Sequence, residues 1–247
     1  MPAKLIPIQT INSWSHSRAV DFEQCKNKAR LKYIEKIPEP ERPLRPGQTE
    51  HANDRGSRVH EELELYVRGG DYFPPEAQAF KLEVNALRSL FVKGKVSLEG
   101  EWGFNREWEA HDWKSAWLRM KLDALVFLSP YEAVAIDYKT GKKFGNEIKH
   151  GEQLMLYQLA SFLRYPELEV VHTELWYLDH DDLTHKVFTR DQGLRFKRSW
   201  DMRGNAITTT TEFPANPNRW SCQYCPYGAP ANGFPNGTGD CLAGRRS

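Results

Sequence analysis

The chain reads as an α/β protein: a central sheet with flanking helices, a helical N-terminal part and a C-terminal tail held by cysteines. Three features support this. Apolar residues recur at helical intervals through residues 14–92, short apolar or alternating runs take over between 96 and 138, and residues 213–247 are rich in Pro, Gly and Asn. A tail of that composition cannot build a core unaided, whereas metal ligation by its cysteines would supply the missing constraint. A single domain of 247 residues is expected, with a helical part at 1–95, a sheet core at 96–205 and the tail at 206–247.

Taken in order, Asn12, Ser13 or Ser15 caps a first helix over 14–33 that carries Val20, Phe22, Ala29, Leu31 and Tyr33. Pro38, Pro40, Pro43 and Pro46 then enforce an extended linker to Gly47. A second helix at 49–67 stops at Gly69-Gly70; Val59, Leu63 and Val67 form its buried face, and His60 lies one turn before Glu64. A third, at 75–92, is amphipathic through Ala79, Leu82, Ala86, Leu87 and Leu90. Alternating large residues predict a strand at 101–108, and residues 116–127 and 131–138 complete an antiparallel meander. That meander brings Asp123 and Asp137 onto adjoining strands, with Glu101 or Glu107 as a further carboxylate. On the next helix, at 152–163, Gln153 and Tyr157 share a face. Strands at 169–178 and 184–188 flank the turn Asp179-His180-Asp181-Asp182, and a polar helix occupies 191–203.

Composition narrows the function classes. With 40% hydrophobic and 27% charged residues the chain is an ordinary globular one. No apolar run is long enough to span a bilayer and no charged-then-apolar leader opens the chain, so an intracellular protein without a membrane partner is expected. A net charge of +1 gives no global pull on nucleic acid. Such binding would have to use local patches: Lys139, Lys142, Lys143 and Lys149, or Arg195, Lys197, Arg198 and Arg203.

The run Val134-Ala135-Ile136-Asp137-Tyr138-Lys139-Thr140-Gly141 carries the most chemistry. Asp123 closes another apolar run upstream, and two acids at a sheet edge can hold a hard divalent cation through oxygen. Lys139 beside it can steer or deprotonate a water and neutralise charge on a phosphate. An acid–x–lysine triplet also arises by chance where a strand end meets solvent, so the pattern needs company. Company comes from four cysteines: Cys25 early, then Cys222, Cys225 and Cys241. In a reducing compartment such thiols favour metal ligation over disulfides.

In their order along the chain, Gly56-x-x-x-His60, Asp123, Asp137-Tyr138-Lys139-Thr140-Gly141, Gln153-x-x-x-Tyr157 and the split cysteines resemble the RecB-like branch of the PD-(D/E)XK nuclease superfamily. Its iron–sulfur members, such as CRISPR-associated RecB-like exonucleases and the AddB nuclease domain, are the nearest in pattern. The resemblance implies a central mixed sheet with flanking helices, the restriction-endonuclease-like core. It also implies that His60, Asp123 and Asp137, with the Tyr138 backbone carbonyl, ligate Mg2+ or Mn2+. Imidazole among the ligands tilts the choice towards Mn2+. Lys139, Asp137 and Asp123 would be catalytic, and Gln153 and Tyr157 would position DNA or orient the lysine; Lys142 and Lys143 are candidate DNA contacts through their charge. Trp220 would offer a stacking surface for a strand.

Cys25, Cys222, Cys225 and Cys241 would hold a 4Fe–4S cluster that pins the tail on the first helix. The long Cys225–Cys241 spacing keeps structural Zn2+ as the alternative. A second departure is Lys121-Leu122-Asp123-Ala124, which has no proline before the first acid. The implied activity is a Mg/Mn-dependent deoxyribonuclease, an exonuclease on single strands or DNA ends more than an endonuclease. The implied setting is the cytoplasm of a bacterial or phage-infected cell, with a recombination or adaptation protein as partner. The competing class is a catalytically silent nucleic-acid-binding or recombination-partner protein on the same fold, which would lack a ligand or the lysine; this chain keeps them all.

Overall fold

A mixed six-stranded sheet organises residues 48–200 of the computed structural model, which describes residues 9–44, 46–141, 143–231, 234–241 and 243. Its strands are β1 (Val96–Phe104), β2 (Ala110–His111), β3 (Leu118–Ser129), β4 (Glu132–Lys139), β5 (Val170–Tyr177) and β6 (Asp182–Thr189), in the spatial order β2-β1-β3-β4-β5-β6. The expected meander is present, since β1 pairs antiparallel with β3 and β3 with β4. β5 then returns parallel to β4, and β6 closes the sheet antiparallel to β5. The first strand lies earlier than expected. It ends at Phe104, and residues 105–109 form a turn in which Trp108 adopts a φ of 67° while staying buried.

Helices α3 (Ala52–Val67) and α4 (Lys81–Val92) cover one face. Val59, Leu63, Val67, Val84 and Leu87 pack there on Leu98, Ala124, Val126, Ile136 and Tyr138. The helix expected over 75–92 divides, because Pro75 opens a 3-10 turn to Phe80 before α4 begins. Strand residues alternate between faces, so Asp137 points away from that cluster. It meets α5 (Glu147–Arg164), which buries Leu154, Leu156, Leu159 and Ala160 and packs on β4 and β5. The helix is longer than expected at its N-terminal end. The polar segment that follows β6 is two helices, α6 (Arg190–Leu194) and α7 (Lys197–Thr209). Thr189 opens α6 with a reciprocal capping box involving Gln192.

Residues 1–47 and 201–247 make up a second compact unit. α3 and α4 belong to the unit that holds the sheet, residues 48–200, and pack on it. The helix expected over 14–33 is α1 (His16–Gln24) followed by α2 (Lys26–Tyr33). Ser15 caps α1 by accepting from the Arg18 N–H, and Cys25 breaks the pair with extended backbone at φ −163° and ψ 112°. Among its described residues the tail forms the short helix α8 (Arg219–Cys222) and a β-bridge between Ala231 and Phe234, and is otherwise irregular. It is tied to the segment after α2 through Tyr227 Oη donating to Ile37 O (3.1 Å) and Asn236 Nδ2 donating to Glu41 O (2.9 Å). Among the described residues no helix is long and apolar enough to cross a membrane.

Candidate metal and phosphodiester site

The site forms where β3 and β4 part. Their register runs from Ser129↔Glu132 to Ala124↔Ile136, one residue short of the two acids. There the Tyr138 N–H donates to Asp123 Oδ2 at 2.6 Å, so a carboxylate replaces a backbone partner. The other oxygen, Asp123 Oδ1, lies 3.1 Å from His60 Nδ1 on α3. Burial opposes charge on His60, but the Asp123 carboxylate outweighs it, helped by Asp137, and lifts the imidazole to about 9.

Asp137 is almost fully buried, at 2% exposure. Its Oδ1 accepts from Gln153 Nε2 and Tyr157 Oη, each at 3.1 Å. Its Oδ2 lies 2.6 Å from Lys139 Nζ but accepts no aligned hydrogen bond, so that contact is an ion pair of poor geometry. Burial pushes the Asp137 carboxyl above its ordinary range; the Lys139 ammonium pulls the other way, and Asp123 adds to the rise. Lys139 Nζ also donates to Gln153 Oε1 at 2.8 Å. Gln153 thus holds the acid and the lysine together, one turn of α5 from Tyr157.

The expected residues therefore gather at one place, with a difference in detail. His60, Glu99 and Asp123 each present a ligand atom within 4.8 Å of the others, whereas Asp137 sits outside this group, engaged by Lys139 and α5. Glu99 was missed in the sequence, where Glu101 and Glu107 were considered. Glu101 is exposed and pairs with Lys121, and Glu107 lies in the turn after β1. The signal that finds Glu99 is register: Leu98↔Ala124 and Gly100↔Leu122 set it opposite Asp123.

Two further contacts escaped the sequence reading. A Cβ on Gly56 would lie 3.2 Å from Thr140 Oγ1, which explains why a glycine precedes His60 by one turn: α3 crosses the strand end closely. Asp179 accepts both Arg55 guanidinium nitrogens at 2.8 Å and the Gly141 N–H at 2.8 Å, tying α3 to the loop after β4. Lys143 pairs with Asp182 and lies over the Tyr177 ring at 5.2 Å. Lys142 lies outside the described residues. His150 Nδ1 stands 3.1 Å from Tyr177 Oη, and burial, with Lys139 and Lys149 nearby, lowers it to about 4.

The four cysteines line one cavity of about 570 Å³ in the second unit, together with Gln24, Lys28 and Asn216. All are free thiols of intermediate burial. Asn27 Nδ2 donates to Cys241 Sγ at 3.2 Å and the Asn216 N–H to Cys25 Sγ at 3.4 Å. No three of these sulfurs lie within 4.8 Å of one another. Trp220, on α8, is 77% exposed.

A family model described as PD-(D/E)XK nuclease superfamily matches residues 13–126 and 118–229. No curated protein matches. One solved structure, titled "Crystal structure of SSO0001", is 14% identical over 89% of this chain and 85% of its own, with a TM-score of 0.44.

Proposed function

The chain belongs to the PD-(D/E)XK nuclease superfamily, and on that premise we propose that it is a Mg/Mn-dependent deoxyribonuclease. The observation that carries the reading is the seating of Asp137, Lys139 and Gln153 beside His60 and Asp123, at the end of two parting strands. The donor set suits a hard divalent cation: carboxylate oxygens and one imidazole, with a buried Asp137 oxygen that accepts no aligned hydrogen bond. His60, Asp123, Asp137 and the Tyr138 carbonyl would hold the ion. When bound, it would supply Lewis-acid charge to phosphate oxygens and make water a better nucleophile. Lys139, oriented by Gln153, places a positive charge where negative charge grows on the scissile phosphate. Gln153 and Tyr157 fix Asp137 by hydrogen bonds that leave its second oxygen towards the lysine.

An exonuclease acting on single strands or DNA ends is the form we propose, in the cytoplasm of a bacterial or phage-infected cell and with a recombination or adaptation protein as partner. Lys142, Lys143 and Trp220 would contact the strand by charge and stacking. The cysteine cavity supports a 4Fe–4S cluster over zinc. Tetrahedral Zn–S bonds of about 2.3 Å draw four sulfurs to about 3.8 Å from one another. A cluster of four irons needs a wider set, and the two N–H donors aimed at sulfur suit thiolate acceptors.

The test is cleavage of end-labelled single- and double-stranded DNA by anaerobically purified wild type and Lys139→Ala, with Mg2+, Mn2+ or EDTA. Shortening from one end by wild type, stopped by EDTA and reduced about 100-fold or more in Lys139→Ala, is expected. Intact DNA with every cation, from folded protein, would leave the silent DNA-binding role instead.

A further inference from the structure

Glu99 occupies an unusual place. It lies in the middle of β1, yet its backbone is left-handed at φ 43°, a region that favours glycine. The pairs on either side, Leu98↔Ala124 and Gly100↔Leu122, keep the same register, so the distortion is confined to the residue facing Asp123. Its carboxylate comes within 4.8 Å of ligand atoms on His60 and Asp123. It is half-buried, and among the described residues no hydrogen bond or ion pair holds it. A strained, half-buried carboxylate beside another carboxylate is costly, and the charged His60 ring within reach of both offsets only part of that cost. A divalent cation between them would offset both the repulsion and the strain.

We propose that Glu99 is a further side-chain ligand of the divalent cation, contributed by β1. This rests on the metal-dependent reading above and extends its ligand set to four side chains: His60, Glu99, Asp123 and Asp137. The third carboxylate raises the negative charge around the ion, which strengthens its capture and replaces one water in its shell.

Calorimetric titration with Mn2+, in the absence of DNA, tests this on wild type, Glu99→Gln, Glu99→Gly and Glu101→Gln, with Mn2+ resonance spectra recorded on each. Both Glu99 variants should bind Mn2+ about tenfold more weakly or worse, since affinity follows ligand charge. Glu101→Gln, an exposed carboxylate on the same strand, should stay within about twofold of wild type. Glycine suits the left-handed backbone, so Glu99→Gly should melt no lower than wild type when metal-free, and a folding defect then cannot account for its weaker binding. Equal Mn2+ affinity in wild type and both Glu99 variants overturns this inference and leaves the nuclease reading standing. Absence of Mn2+ binding by wild type overturns both.

Discussion

In residues 48–200 the polar groups of the candidate site rest on a continuous apolar core: His60 follows the buried Val59, and Asp123 and Asp137 are flanked by buried Leu122, Ala124, Ile136 and Tyr138. In the other unit the tail has few such supports. Among its described residues beyond 210, Tyr227 and Phe234 are the main buried apolar side chains, and backbone hydrogen bonds such as Thr238 N–H to Pro226 O (2.9 Å) and Cys241 N–H to Tyr227 O (2.7 Å) supply most of the rest. The contrast teaches where each centre's geometry comes from. Packing places the acids and the lysine, whereas the thiols line one cavity with no three of their sulfurs within 4.8 Å of one another. On the proposed reading, the sheet unit folds without its ion, whereas the tail needs the metal centre proposed for its cysteines.

The sharpest way to break this contrast is to remove a thiol. If the cysteines hold the proposed 4Fe–4S cluster, Cys225→Ser should abolish the visible absorbance of anaerobically purified protein and speed limited proteolysis within residues 210–241 by about tenfold or more, while fragments covering 48–200 persist. Uniform proteolysis across both units would show that they do not differ in this way.

A smaller effect is expected from the sheet side. Leu63 is fully buried against the sheet, and Leu63→Ala should cost about 2–5 kcal/mol in denaturant unfolding of the main transition. The visible spectrum of the proposed cluster should not change. If the spectrum is lost as well, the two regions are energetically one.

The smallest effect is one of pH. His150 has a folded pKa of about 4, against about 6.5 in an unfolded chain, and faces Tyr177 with Lys139, Lys149 and Glu147 nearby. As pH falls the unfolded chain takes up this proton first. The contribution is therefore complete above about pH 6.5 and is lost progressively towards pH 4. Wild type should lose more thermal stability between pH 7 and pH 5 than His150→Gln, measured by scanning calorimetry in EDTA. Parallel pH profiles for the two proteins would show that His150 titrates normally in the fold.

Much of the architecture was legible beforehand because it depends on local periodicity. The apolar spacing of Val59, Leu63 and Val67 marks a helix, and the runs ending at Asp123 and Asp137 mark neighbouring strands whose pairing follows from the short turn between them. Helix ends were less legible: extended backbone at Cys25 interrupts one helix, and Pro75 opens another with a 3-10 turn. Spacing alone linked only Asp137 with Lys139 and Gln153 with Tyr157; it was the resemblance to the nuclease superfamily that set His60 and Asp123 beside them.

What the chain order could not reveal is any contact that depends on register or on the crossing of remote elements. Glu99 meets Asp123 only because β1 pairs with β3 at one offset out of several, and Glu101 on the same strand lies in solvent. Arg55, Asp179 and Gly141 meet because α3 crosses the ends of β4 and β5, a convergence of three distant segments. Local sequence sets which residue types are available and on which element each sits. The distances that decide whether two carboxylates repel or share an ion arise only when those elements pack.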